Sequence, residues 1–189
     1  LQRNIKRLMA YSSIAQAGYI STGFLAGGQL GLTAVLFYLF VYLFANMGVF
    51  LAIAIVNGKT GSDNIEDYAG VWKRSPLIGV VLLVGLLSLA GVPPFAGFSG
   101  KWYLFGAAIS KGYTWIALVG MIFSVVSLYY YLQVAKAALI SDPKDSSPIE
   151  MNWVEKTVLV ICVIFIVTLG FWPTPVMQIA QSAASTLFN

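Results

Sequence analysis

A chain of 189 residues that is 59% hydrophobic and only 10% charged departs from soluble domains, which run at roughly 45–50% apolar and about 25% charged; it belongs in a bilayer. Eleven Lys and Arg against seven Asp and Glu leave a net charge of +4, whose meaning depends on where the cations sit, and nucleic acid is not the expected partner. No His and a single Cys exclude a His/Cys metal site, an iron–sulfur cluster, a Ser-His-Asp triad or a disulfide made from this chain alone.

In chain order, LQRNIKRLMAYSS lacks the basic start, apolar stretch and small-residue cleavage site of a signal peptide, and Leu1 is no initiator Met, so a piece of a longer protein is expected. A helix needs about 20 apolar residues to cross hydrocarbon, where only internal hydrogen bonds satisfy the backbone. Residues 8–26 and 33–56 meet that need and are followed by the polar loop NGKTGSDNIEDYAGVWKR. Residues 75–110 then run with Lys101 as their only charge, too long for one ordinary helix and short for two full spans. Their centre, AGVPPFAGFSG, sets Pro93 and Pro94, which lack amide donors, between Gly91 and Gly97, which weaken helix further. A break over residues 91–97 is predicted, between half-helices 77–91 and 97–110. Residues 114–135 and 153–172 are the remaining spans, with SDPKDSSPIEMN between them. The prediction is an all-α membrane protein, a single transmembrane region of about five helices, one of them discontinuous.

Loop charge bears on whether residues 75–110 cross once as a broken helix or twice as a tight hairpin, because cations gather on the inner side of a membrane. One crossing sets Arg3, Lys6, Arg7, Lys59, Lys73, Arg74, Lys136, Lys144 and Lys156 on one side against Lys111, nine against one; two crossings give seven against three. The sharper split favours one crossing, with the hairpin as the alternative. Each half-helix would be ~20 Å long at 1.5 Å per residue, so tilt and a central bend are required.

Three spans carry a polar stripe at helical spacing: Ser12, Gln16, Tyr19 and Gly23; Tyr38, Tyr42 and Asn46; and Gly120, Ser124, Ser127 and Tyr131. Such faces point inward, either for close packing and inter-helix hydrogen bonding or to line a hydrated proton path. The last span shows no stripe and reads as lipid-facing or peripheral, with Cys162 a small apolar filler.

Lys101 stands 26 uncharged residues after Arg74 and nine before Lys111. A central lysine costs about 2.5–3.5 kcal/mol on insertion scales, and a residue kept at that cost usually serves an ion pathway; an interfacial snorkelling lysine is the competing reading. An amine suits proton handling because burial and the arrival of water or an anion change the balance between its charged and neutral forms. The break supplies a setting, since the carbonyls of Leu89 and Ala90 lose their donors at Pro93 and Pro94 and are free to hold water or a cation. All seven carboxylates, Asp63, Glu66, Asp67, Asp142, Asp145, Glu150 and Glu155, fall in or beside polar loops, so any acidic partner of Lys101 must come from elsewhere. The remaining charges read as a solvated face and as topology anchors, and no nucleotide motif appears.

KRLMAYSSIAQAGY, TGSDNIEDYAG, SLAGVPPFAGFSGKWYLF and SLYYYL follow one another in this order. Together they resemble the C-terminal part of the subunit N (subunit 2) family of proton-translocating NADH-quinone oxidoreductase, respiratory complex I, across essentially the whole chain. The PP-x-AGF-x-GK-x-YLF string is the most specific of them. The resemblance implies an antiporter-like inverted-repeat bundle of which this chain is most of the second repeat. It also implies Lys101 as the proton relay on the discontinuous helix, with Gly91, Pro93, Pro94 and Gly97 as its break. Ser12, Gln16, Tyr38, Tyr42, Asn46, Ser124, Ser127 and Tyr131 would line the proton path. No cofactor is implied in this chain; NADH, FMN, iron–sulfur clusters and quinone fall to partner subunits, and the neighbours are other membrane subunits, sister antiporter-like ones included. A multi-pass protein of a bacterial inner membrane is implied, with thylakoid or organelle membranes as alternatives. Gln16 departs from the pattern, since many relatives place His there and Gln cannot titrate. Tyr42, where sister subunits tend to have His, and Lys101, where subunit M usually has an acid, favour subunit N. The rivals are a subunit of a multi-subunit cation/proton antiporter or membrane-bound hydrogenase, which shares the fold, and a passive membrane scaffold.

Overall fold

The computed structural model describes residues 2–143 and 145–188; Leu1, Lys144 and Asn189 lie outside it. All named elements among the described residues are helical, and the one β contact is an isolated bridge between Asn4 and Asn64. Helix α1 (Ile5–Ala26) starts where the Asn4 side chain accepts from the Arg7 amide at 2.9 Å, a side-chain cap that satisfies one otherwise orphaned donor. Two glycines with positive φ, Gly27 and Gly28, turn the chain straight into α2 (Gly28–Thr60), which ends at Gly61 in the left-handed conformation. A short 3₁₀ turn (Ile65–Tyr68) and α3 (Val71–Arg74) follow. Next come α4 (Pro76–Ala90), α5 (Ala96–Ser110), α6 (Thr114–Leu139), α7 (Trp153–Phe171) and α8 (Thr174–Ser185).

Helices α2, α6 and α7 are each long and apolar enough to cross a membrane. Helix α1 has the length, but its serines and Gln16 dilute it. Helices α4 and α5 have 15 residues each, about 22 Å apiece, so neither covers a hydrocarbon layer of about 30 Å and the two in series do.

Contacts along α2 give their direction. Gly85 of α4 lies against Val49, and Gly100 of α5 lies against Tyr38. Progress along α4 and then α5 is thus progress backward along α2, so α5 continues the course that α4 sets. Helix α1 keeps the same register, Gln16 meeting Leu89 and Gly23 meeting Leu104. Helix α6 returns antiparallel, with Ser124 at Lys101 and Gly120 against Phe105.

Helix α7 is less peripheral than its uniform apolarity implies. Leu159, Cys162, Ile166 and Leu169, spaced three and four apart, form a buried face, and Cys162 fills the space beside Gly48. Phe165 stacks on Phe44 with centroids 4.2 Å apart. The outer face, with Val160, Ile161 and Ile164, is exposed. Helix α8 has no counterpart in the predicted spans; its Ala180 packs with Phe37 and Val41 of α2 and Leu169 of α7.

At the loop face, Lys6 pairs with Asp63 at 2.8 Å and Lys73 with Asp142 at 2.7 Å, both solvated as the sequence suggests. Arg74 differs. Its side chain is 5% exposed, its Nε donates to the Ser147 carbonyl at 2.9 Å, and its own carbonyl accepts from Ile149. The loop between α6 and α7 folds over this guanidinium, and Ile149 is buried beneath it. Asp145 completes the clasp at 3.3 Å.

Candidate functional site

Helix α4 stops because Pro93 and Pro94 cannot supply amide donors and because Gly91, with φ +83°, takes a conformation that favours glycine. Helix α5 restarts against the last turn of α4. The Gly97 amide donates to the Ser88 hydroxyl at 3.0 Å, a cap supplied across the break, and a Cβ at Gly97 would collide with the Ser88 carbonyl. The predicted break at residues 91–97 thus spans only Gly91 to Phe95 as non-helical chain, and Gly97 belongs to the first turn of α5.

Helical side chains lean toward the N-terminus of their helix, which aims Lys101 back at the gap. Its Nζ donates to the carbonyls of Leu89 at 2.9 Å and Ala90 at 3.0 Å and to the Ser124 hydroxyl at 2.7 Å. The Tyr19 ring covers it, with the centroid 4.4 Å away, a cation–π contact. Lys101 is 5% exposed. The two carbonyls sit at the C-terminal end of α4, where the helix dipole is negative and favours a cation. Among the described residues, the three ion pairs lie at the loop face and none includes Lys101. A cavity of about 300 Å³ touches the amine, lined by Gly91, Pro93, Trp102, Ser124 and Val125 among others.

Gln16 ties the stripes together. Its amide nitrogen donates to the Leu89 carbonyl at 3.0 Å and to the Tyr131 hydroxyl at 3.2 Å, and its amide oxygen accepts from Tyr38. Tyr131 also shares a hydrogen bond with Ser12. The Leu89 carbonyl therefore accepts from both Gln16 and Lys101, joining the two groups. Ser127 connects through the Ser124 carbonyl at 2.6 Å. Tyr42 stands apart, donating to Ser13 at 3.0 Å, and Asn46 has a buried oxygen without a partner. Ser88, Ser13 and Tyr19 belong to this polar interior although none was among the site residues that the sequence nominates; Tyr19 was legible as part of a stripe. Gly170 of α7 presses its backbone on the Pro94 carbonyl, where a Cβ would have no room, so α7 abuts the break from outside.

This arrangement defines a class: an all-helical membrane protein with a broken helix whose carbonyls, with a neighbouring hydroxyl, hold a buried amine. The transmembrane family described as NADH:quinone oxidoreductase/Mrp antiporter matches residues 1–127, and the chain belongs to it. NADH-quinone oxidoreductase subunit N of Moorella thermoacetica is 47% identical over 188 residues, 99% of this chain and 40% of that protein. Respiratory complex I from Thermus thermophilus contains a chain with TM-score 0.82 and 32% identity, over 94% of this chain and 40% of that one. The Mrp complex from Dietzia sp. gives TM-score 0.90 at 22% identity over all of this chain and 43% of that one, a likeness of fold alone. The chain thus spans about two fifths of the length of the relatives it matches.

Proposed function

We propose that this chain is the C-terminal part of a proton-translocating membrane subunit of an NADH-quinone oxidoreductase, with Lys101 as a proton relay. Electron transfer from NADH to quinone takes place in partner subunits, which hold NADH, FMN, iron–sulfur clusters and quinone; this chain contributes no redox centre. Residues 76–110 cross the membrane once, among five spans in all, and Ser12, Gln16, Tyr38, Ser124, Ser127 and Tyr131 form the polar interior around the relay. Sister antiporter-like subunits are its neighbours, in a bacterial or thylakoid membrane.

The observation that carries this reading is the Lys101 amine, buried at a helix break and held by two carbonyls and a hydroxyl, with no ion pair to a carboxylate among the described residues. A structural lysine would be expected to be paired or to snorkel, whereas an amine held only by neutral groups can lose its proton without leaving an orphaned anion. The test is proton translocation per NADH oxidised by the intact complex in vesicles, comparing wild type with Lys101→Ala. Loss of translocation with NADH oxidation retained is expected; unchanged translocation would make the chain a scaffold. A cation/proton antiporter subunit is the second reading, favoured by the fold shared with the Mrp complex. Under it, a cation gradient would drive proton movement without NADH.

A further inference from the structure

The Lys101 ammonium is held by two kinds of contact that differ in how much they depend on its charge. Its three hydrogens go to the carbonyls of Leu89 and Ala90 and to the Ser124 hydroxyl. A neutral amine keeps most of that arrangement, donating two hydrogens to the carbonyls and accepting the Ser124 hydrogen in place of the third bond. The ring of Tyr19, with its centroid 4.4 Å from Nζ, is different. Its attraction acts on the positive charge, through the negative face of the ring, and is strongest where water is excluded; a neutral amine forfeits it.

Packing, rather than the hydroxyl, fixes that ring. Tyr19 is buried, and its Oη has no hydrogen-bond partner among the described residues. A buried tyrosine usually finds such a partner, so the hydroxyl does not account for an aromatic residue here. The ring instead stands edge-to-face with Phe105, centroids 6.0 Å apart and planes at 85°. Phe105 follows Lys101 by four residues on α5 and so shares its face. Helix α6 makes room for Phe105 at Gly120, where a Cβ would come within 2.7 Å of the ring. Tyr19 is thereby lodged beside both the amine and an aromatic neighbour on one helix face.

The other groups around the amine leave this role to Tyr19. Helix α4 presents carbonyls and has no titratable side chain, α6 presents Ser124, and Tyr38 of α2 and Tyr131 of α6 lie one residue further off, behind Gln16. The charged side chains of the packed helices, Lys6, Arg7, Lys59, Lys136, Glu155 and Lys156, stand in terminal turns. The ion pairs among the described residues lie at the loop face.

We propose that Tyr19, through the face of its ring and not its hydroxyl, is a positioning residue that sets how tightly Lys101 holds its proton. The assignment rests on Lys101 being a proton carrier. Because the ring favours the ammonium alone, removing it makes the proton easier to lose, and weakening its negative face does the same by degrees. A desolvated contact of this kind corresponds to a change of about tenfold or more in proton affinity, about one pH unit.

The intact oxidoreductase in vesicles tests this. NADH oxidation with the gradient collapsed reports assembly. The portion of proton translocation that Lys101→Ala abolishes is followed against pH, to the alkaline midpoint where the amine no longer takes up a proton. Tyr19→Phe serves as the reference, since it keeps the ring and removes the phenol's own titration. The midpoint of Tyr19→Leu should lie about one pH unit or more below it. Phenylalanines carrying one, two and three ring fluorines at position 19 should lower the midpoint stepwise, because fluorine drains the ring face of negative potential and nearly preserves its shape. A structural role would not follow the ring's electronics. Equal midpoints in Tyr19→Phe and Tyr19→Leu overturn the proposal and leave Lys101 as a carrier. If Tyr19→Leu does not assemble, the fluorinated series decides, and a midpoint that stays level across it overturns the proposal. Normal translocation in Lys101→Ala overturns the carrier itself.

Discussion

Alanine at position 170 and alanine at position 106 should move stability in opposite directions. Both glycines lie in helices, so each substitution removes glycine's extra freedom in the unfolded chain, worth up to about 1 kcal/mol. At Gly106 nothing lies within 4 Å of the added methyl, and that gain stands alone. At Gly170 the methyl would fall on the Pro94 carbonyl with the Ala96 nitrogen 3.0 Å away, and both are backbone atoms that cannot rotate aside. Helix α7 or the break must retreat by on the order of 1 Å, and forced overpacking of this kind costs about 1–3 kcal/mol. Because the glycine contribution is common to both, the gap between the two variants reports the overpacking directly: Gly170→Ala should be about 1–3 kcal/mol less stable than Gly106→Ala. The assay is unfolding of the full-length protein in mixed micelles, followed by tryptophan fluorescence. Two variants equal within about 0.5 kcal/mol, the level at which unrelated substitutions scatter, would refute the close approach of α7 to the break.

Ser88→Ala strips the Gly97 amide of its buried acceptor and should cost about 1–3 kcal/mol in the same unfolding assay. Arg74→Ala removes the group on which the α6–α7 loop rests; limited proteolysis should cleave residues 141–151 several-fold faster, with Arg74→Lys intermediate because it keeps charge but loses the Nε contact. The same loop should loosen in acid. Hydrogen bonds from the Ser147 hydroxyl and then its amide, with a smaller attraction from Arg74, hold the Asp145 carboxyl below the usual carboxylate range, and Lys73 does the same for Asp142. Folded values below unfolded ones mean the stabilisation is full at neutral pH and lost as pH falls, so protection of the Ser147 amide from hydrogen exchange, corrected for intrinsic rate, should hold down to about pH 4 and decline below it.

The break and its lysine were legible because both are local: paired prolines remove donors wherever they stand, and a lone charge after 26 uncharged residues is a fact of spacing. The partners of that lysine were only half legible. Periodicity put Tyr19 and Ser124 on inward faces, but their meeting at Lys101 depends on the register of α1 and α6 against α5, which no single helix encodes. Ser88 was hidden in an apolar run, where a serine looks like filler until Gly97 comes back upon it. Helix α7 is apolar on every side, so its buried face left no pattern to read. Helix α8 follows the last predicted span, and Pro175 occupies its first turn, where a missing donor does no harm. Arg74 looked solvated because its burial is made by residues 145–149 folding over it from far along the chain.

Everything proposed for Lys101 depends on residues 76–110 making one bent crossing, and the sidedness of Lys59 and Lys111 tests that directly. Each is replaced singly by cysteine in the full-length protein freed of other reactive thiols, and sealed vesicles are treated with a membrane-impermeant thiol reagent from outside or from within. Labelling of Lys59→Cys and Lys111→Cys from opposite sides is the predicted result. Labelling of both from the same side would mean two crossings, with Lys101 displaced toward an interface, and would contradict the account.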